Sequence, residues 1–147
     1  MGAISKGQYL VVIWKLNKLS IKLGFTIPLN VFGPGLSIAH RGTIVVNGNA
    51  NIGANCRIHT CVNIGTQAGY EGRAPKIGNN VYIGPGAKIF GPIEIADSIA
   101  IGANSVVNKS FKEPGITIAG IPAKRISDKN STELLIKATE LLDNNGI

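Results

Sequence analysis

Two imidazoles, His40 and His59, are the groups in this 147-residue chain best suited to move a proton near neutral pH. A neutral histidine is the natural general base for activating a hydroxyl. Two histidines fall short of the three needed for a histidine-held zinc, and Cys56 with Cys61 makes neither a disulfide framework nor a structural zinc site. No metal is expected. Fifteen Lys and Arg against eight Asp and Glu give a net charge of +7. That surplus suits a polyanion: nucleic acid, an anionic membrane surface or a phosphorylated cofactor. Aromatic residues make up only 5% of the chain and are not interleaved with the basic ones as a base-stacking surface requires. Nucleic acid is therefore not the expected partner.

The scaffold that must hold these groups is written as a repeat. Aliphatic side chains return every six residues at Val46, Ile52, Ile58 and Ile64, then at Ile77, Ile83, Ile89, Ile95, Ile101 and Val107, with a rougher earlier pair at Phe32 and Ile38. Four residues after each comes a second apolar or small residue: Ala50, Cys56, Val62, Val81, Ala87, Ile93, Ile99 and Ser105. That second position lies two residues before the next aliphatic one, and residues two apart on a strand share a face. Each hexapeptide thus supplies a short strand with two inward side chains, and Gly, Asn and Asp turn the corner between strands. Six is not a helical period, and hairpin meanders turn every 8–12 residues or so. Stacked coils of such strands bury one continuous aliphatic column. Nineteen glycines and few aromatic rings fit a core of this kind.

The repeat breaks twice. Eight residues instead of six separate Ile38 from Val46, so two are extra, and His40 sits among them. Thirteen separate Ile64 from Ile77, so seven are extra, in a polar, glycine-rich stretch that must protrude as a loop. His59 follows Ile58 at a position often held by glycine, facing outward or into a corner. Cys56 falls on a core position and Cys61 in a turn.

Outside the repeats, residues 6 to 23 read as a helix ending at Gly24, and residues 131 to 143 as a second helix with Asn130 and Glu133 as a capping box. Both are expected to cap the ends of the coil. Trp14 with Lys15, Lys18 and Lys22 also fits an in-plane helix making peripheral membrane contact. The apolar run from Tyr9 to Trp14 stops at Lys15, far below the roughly 20 residues that span a bilayer. The expected location is cytoplasmic. The expected organisation is a single domain over 1–147: a helical segment at 1–26, the coil at 27–126 with a loop at 65–76, and a helix at 127–147.

Five stretches of text carry a resemblance. They are His40-Arg41-Gly42-Thr43-Ile44-Val45-Val46, Pro75-Lys76-Ile77-Gly78, Ile83-Gly84-Pro85-Gly86-Ala87-Lys88-Ile89, Ile101-Gly102-Ala103-Asn104-Ser105-Val106-Val107 and Ala119-Gly120-Ile121-Pro122-Ala123-Lys124. Together they resemble the serine acetyltransferase branch of the hexapeptide-repeat (left-handed β-helix) acyltransferases, over a little more than half of the chain. The resemblance implies an all-β left-handed parallel β-helix of three strands per coil, here with short N- and C-terminal helices. It also implies a homotrimer with active sites between neighbouring subunits, and acetyl-CoA as co-substrate. His40 matches the family's catalytic histidine and would be the general base. Gly84, Pro85, Gly102 and Ala103 would line the pantetheine arm. Lys124, Arg125 and Lys109 are candidates for the phosphates; each could instead be a solvated surface charge, and for Lys109 that is the favoured reading. Arg73 matches the family's arginine.

Two positions depart from the family. Ala39 stands where an aspartate precedes the histidine, and Ala74 where a second histidine precedes Pro-Lys-Ile. The family's long N-terminal helical domain has no expected counterpart in these 147 residues. These departures remove contacts suited to a free amino acid. The expected acceptor is accordingly a hydroxyl of a sugar or surface-polysaccharide precursor, read by Tyr70, Glu71 and Arg73 on the loop, with His59 as a further substrate contact or a structural residue. The alternatives are a serine O-acetyltransferase of cysteine biosynthesis, an N-acetyltransferase acting on an amino sugar, and a non-catalytic β-helix scaffold.

Overall fold

The computed structural model describes residues 5–69 and 72–144. The six-residue period folds as a three-sided parallel coil. The first coil runs through β1 (Phe25–Thr26), a single bridge at Phe32 and β2 (Ser37–Ile38). The second holds β3 (Ile44–Val46), β4 (Asn51–Ile52) and β5 (Arg57–Ile58), and the third β6 (Asn63–Gly65), β7 (Lys76–Ile77) and β8 (Tyr82–Ile83). The fourth holds β9 (Lys88–Phe90), β10 (Glu94–Ile95) and β11 (Ala100–Ile101). The fifth runs through β12 (Val106–Val107), a bridge at Phe111 and β13 (Thr117–Gly120). Each chain segment visits side one, side two and side three in turn, so every strand pairs in parallel with the strand one coil away. β14 (Ala123–Ser127) closes side three by pairing antiparallel with β13.

The aliphatic ladder is in register on all three sides. Val46, Ile64, Ile89 and Val107 stack on side one. Ile52, Ile77 and Ile95 stack on side two, and Ile38, Ile58, Ile83, Ile101 and Ile118 on side three. Apart from Ile38 in the outermost coil, these side chains are buried. Full burial of each stabilises the coil by about 1.5–3 kcal/mol. The second apolar series, including Cys56 and Ser105, is buried as well. Corners turn through left-handed residues, which asparagine tolerates better than most. Asn55, Asn80 and Ser98 (φ 55°, 55° and 58°) stack on the edge between sides two and three. Cys61, Gly86 and Asn104 (φ 62°, 75° and 55°) do so on the edge between sides three and one.

α1 (Lys6–Leu23) starts with a Ser5–Gln8 capping box and ends on Gly24 at φ 75°. It half-buries Ile13, Leu16, Ser20 and Leu23 against the first coil and leaves Leu10, Trp14 and Ile21 exposed. Among the described residues no helix is long and apolar enough to cross a membrane.

Three boundaries move. β1 pairs with β3 ahead of residue 27, because Phe25 and Thr26 complete side one of the first coil. The loop contracts to 66–75, since Gly65 and Lys76 are already in the ladders. The C-terminal segment is not one helix from 131. Ser131 is buried, with its hydroxyl donating to the Asn80 carbonyl and its N–H to Ser98 O. A short 3₁₀ turn at Thr132–Leu134 ends at an extended Leu135, and α2 spans only Ala138–Asn144. Thr139 N–H donates to Asn55 Oδ1 at 3.2 Å. Polar tethers to the coil corners thus interrupt the periodic stripe, and Leu134 and Leu141 stay exposed. The expected Asn130–Glu133 capping box does not form. Asn130 Oδ1 instead accepts from Thr132 N–H.

Candidate active site

The coil has three edges, and the candidate residues divide between two of them. His40 lies between β2 and β3, and His59 between β5 and β6. Gly84 and Pro85 lie between β8 and β9, and Gly102 and Ala103 between β11 and β12. All six therefore occupy the edge joining side three to side one.

His40 and Arg41 are the two inserted residues. Ala39 N–H donates to Ile58 O, which sets Ala39 opposite His59. Cys61 N–H donates to Thr43 O, and a Cβ added to Gly42 would strike Thr60 Oγ1, which sets Gly42 opposite Thr60. His40 and Arg41 have no counterpart on the next coil and bulge outward, both exposed. The absence of a side chain at Gly42, at φ 134°, lets the chain return beneath them.

His59 lies one coil further on and is 9% exposed. Its Nδ1 is 3.0 Å from the Ile83 carbonyl oxygen. A carbonyl only accepts, so Nδ1 carries the proton and Nε2 of the neutral ring is left as an acceptor. The Tyr82 ring packs against it at 4.9 Å between centroids, and the His40 ring stands 6.2 Å away, tilted by 50°. His59 is thus a buried, oriented imidazole rather than an outward-facing one. The contribution of Tyr82 was not legible beforehand. Its register over Arg57 follows from the repeat, but whether its ring reaches His59 depends on the side-chain rotamer.

Small residues continue the line. By register Ala39, His59, Gly84, Gly102 and Ala119 stack in one column, with His59 the single large member. At strand spacing this column spans roughly 19 Å, the scale of a long, thin substrate arm. Gly84 is buried, and a Cβ there would come within 2.8 Å of Ala103 N and Ile101 O. A Cβ on Gly102 would meet the Ala119 methyl at 2.8 Å. Both glycines are therefore required for coil stacking, and the exposed Pro85 and Ala103 form the outer surface of the edge. Lys124 pairs across from Ala119 and is exposed at the far end of the column. Arg125 is held by Asp128 at 2.6 Å and Glu113 at 2.5 Å, and its hydrogen bond to Asp128 is the main cause of a raised pKa. A phosphate would have to displace two carboxylates there. Lys109 lies between β12 and Phe111, away from this edge, with its ammonium 5.4 Å from the Phe111 ring centroid.

The loop belongs to the other edge. Residues 66–75 join side one to side two, and Arg73 is exposed beside a groove of about 450 Å³ also lined by Asn49, Asn51, Lys76 and Glu94. Neither imidazole borders that groove. Tyr70 and Glu71 lie outside the described residues. Within one chain the structure brings His40 and His59 together, but not His40 and Arg73.

Fold and site together define a three-sided parallel β-helix of hexapeptide repeats, carrying two imidazoles and a small-residue column on one edge. No family model matches the chain. It is 36% identical over 136 residues to the serine acetyltransferase of Salmonella typhimurium, a match covering 88% of this chain and 50% of that protein. The structure is similar to serine acetyltransferase from Brucella abortus in complex with coenzyme A, at TM-score 0.71 and 32% identity over 85% of this chain and 50% of that one. It is also similar to Neisseria gonorrhoeae serine acetyltransferase in complex with serine, at TM-score 0.67 and 36% identity over 80% of this chain and 48% of that one. The chain spans about half the length of the curated relatives it matches.

Proposed function

We propose that this chain is an acetyl-CoA-dependent O-acetyltransferase of the serine acetyltransferase type, with His40 as general base. The observation that carries the reading is the placement of His40, Pro85, Ala103 and Lys124 along a single edge of the coil. His40 takes the proton of the acceptor hydroxyl as that oxygen bonds to the acetyl carbonyl carbon. The carbon–sulfur bond then breaks, and the proton passes to the departing sulfur. The arm of the co-substrate lies along the edge against Pro85 and Ala103, with Gly84 and Gly102 permitting the close stack beneath and Lys124 towards the phosphates. Arg125, already paired with two carboxylates, is the weaker phosphate candidate.

The reading includes the left-handed coil sense of the resemblance, one domain over the whole chain, a cytoplasmic site of action, and a homotrimer. A trimer answers the division of candidate residues between two edges. Arg73, with Tyr70 and Glu71, acts on the acceptor only if one subunit's loop meets the neighbour's His40 edge.

The relatives favour serine as acceptor, the chemistry of cysteine biosynthesis, over the sugar or surface-polysaccharide precursor expected from the sequence departures. One observation keeps the sugar as a second reading. Ala39 and Ala74 put methyl groups where the resemblance expects a carboxylate and an imidazole, and Ala74 packs against the core. The test is release of free coenzyme A from acetyl-CoA with serine, sugars and nucleotide sugars offered in parallel. Turnover with serine supports the main reading, and turnover with sugars alone supports the second. Failure of acetyl-CoA to raise the melting temperature would leave a scaffold instead.

A further inference from the structure

We propose that His59 is a positioning residue that orients His40 by accepting its ring N–H. The inference rests on His40 being the base. A base imidazole needs a partner on its second nitrogen to fix which nitrogen faces the hydroxyl. Ala39 offers only a methyl group at this point of the edge. His59 offers an acceptor whose own state is set from behind. The Ile83 carbonyl lies on the third coil, His59 on the corner leaving the second, and His40 on the corner leaving the first. His40 and Ile83 thus flank His59 along the coil axis. The Nδ1 proton is committed to Ile83 O, and burial against Tyr82 holds the ring. Nε2 is left as a lone-pair acceptor.

The geometry is close to closure. A direct N–H···N bond brings imidazole centroids to roughly 5 Å, so the 6.2 Å separation leaves about 1 Å to cover. His40 covers it, because it sits on a two-residue bulge and is exposed, whereas His59 is fixed. The proton count balances. His40 receives the hydroxyl proton on its free nitrogen, keeps its other N–H on His59 Nε2, and His59 keeps Nδ1–H throughout. The column supports the same conclusion. Every other member, Ala39, Gly84, Gly102 and Ala119, is small, and the one large residue stands beside His40.

The experiment uses ¹⁵N-edited NMR of the imidazole nitrogens in the full chain, together with steady-state kinetics. In the wild type, His59 is expected as the Nδ1–H tautomer with an unprotonated Nε2. The opposite tautomer overturns the proposal without any variant having to fold. His59→Phe keeps the ring volume and removes the acceptor. It should shift the His40 nitrogen resonances and lower kcat roughly tenfold to a hundredfold, part of a general base's full effect, with the acetyl-CoA KM unchanged. His59→Gln, which can donate to Ile83 O and accept from His40, should recover most of kcat. Unmoved His40 resonances in His59→Phe, or a Gln variant as slow as Phe, would refute the role. If His40→Ala retains full turnover, the base assignment itself fails. The His40 resonances in His59→Phe still report separately whether the two rings are coupled.

Discussion

Gly84→Ala tests whether the small residues of the edge serve the coil or the substrate arm. The added methyl would sit 2.8 Å from Ala103 N and Ile101 O and 2.9 Å from Gly102 C. All three are backbone atoms, so no side chain can swing aside. Relief requires the third and fourth coils to part locally. That strains the ladder bonds Gly84 N–H to Ile101 O, at 2.8 Å, and Tyr82 N–H to Ile99 O, at 3.1 Å. Overpacking of this kind costs about 1–3 kcal/mol, and weakening one backbone bond adds roughly 0.5–1.5 kcal/mol. A loss of about 2–4 kcal/mol is expected. Gly65→Ala is the control. Its Cβ would meet only the tip of the Asn63 side chain, at 3.2 Å, so stability should change by no more than about 0.5 kcal/mol. Urea denaturation of both variants, alongside the acetyl-CoA KM of whatever folded Gly84→Ala protein remains, makes the comparison. If Gly84→Ala matches Gly65→Ala in stability while raising the acetyl-CoA KM severalfold, then the residue lines the arm and the stacking argument is wrong.

Three further outcomes follow from the same geometry. His40→Ala should leave the coil folded, since the residue is an exposed insertion, and cut kcat by about two to four orders of magnitude; stopped-time coenzyme A release measures it, and unchanged kcat refutes the base assignment. Removing residues 67–73 excises seven and restores a six-residue step from Ile64 to Ile77, so the chain should fold, bind acetyl-CoA in a thermal-shift assay and lose acceptor turnover; loss of acetyl-CoA binding would place the loop in the co-substrate site. Burial pushes the Cys56 thiol from 9.0 up to about 12, whereas Cys61 is exposed, so iodoacetamide at pH 8 should label Cys61 alone. Because the folded value lies above the unfolded one, the Cys56 contribution to stability is intact below pH 9 and is lost as pH rises towards 12, at about 1.4 kcal/mol per pH unit. Cys56→Ala should flatten that part of the stability–pH curve in urea melts.

The amino-acid sequence by itself determined the coil. Ten aliphatic residues in six-residue phase admit one way of sharing a face, and all ten are buried in registered ladders. α1 was equally legible, since its cap residues are local to the helix they bound. The two breaks in phase marked where the chain must leave the wall, and His40 lies in the shorter one. What only the tertiary structure decided depends on which coil lies next to which. The broken C-terminal helix follows from Ser131 and Thr139 meeting Asn80 and Asn55 on distant coils. Cross-coil bonds of that kind hold the segment, and Leu134 and Leu141 of the periodic stripe stay exposed. The placement of Arg73 and His40 on different edges follows from the order of the three sides. The orientation of His59 follows from a carbonyl one coil below it, a contact between residues 24 apart that no local pattern encodes.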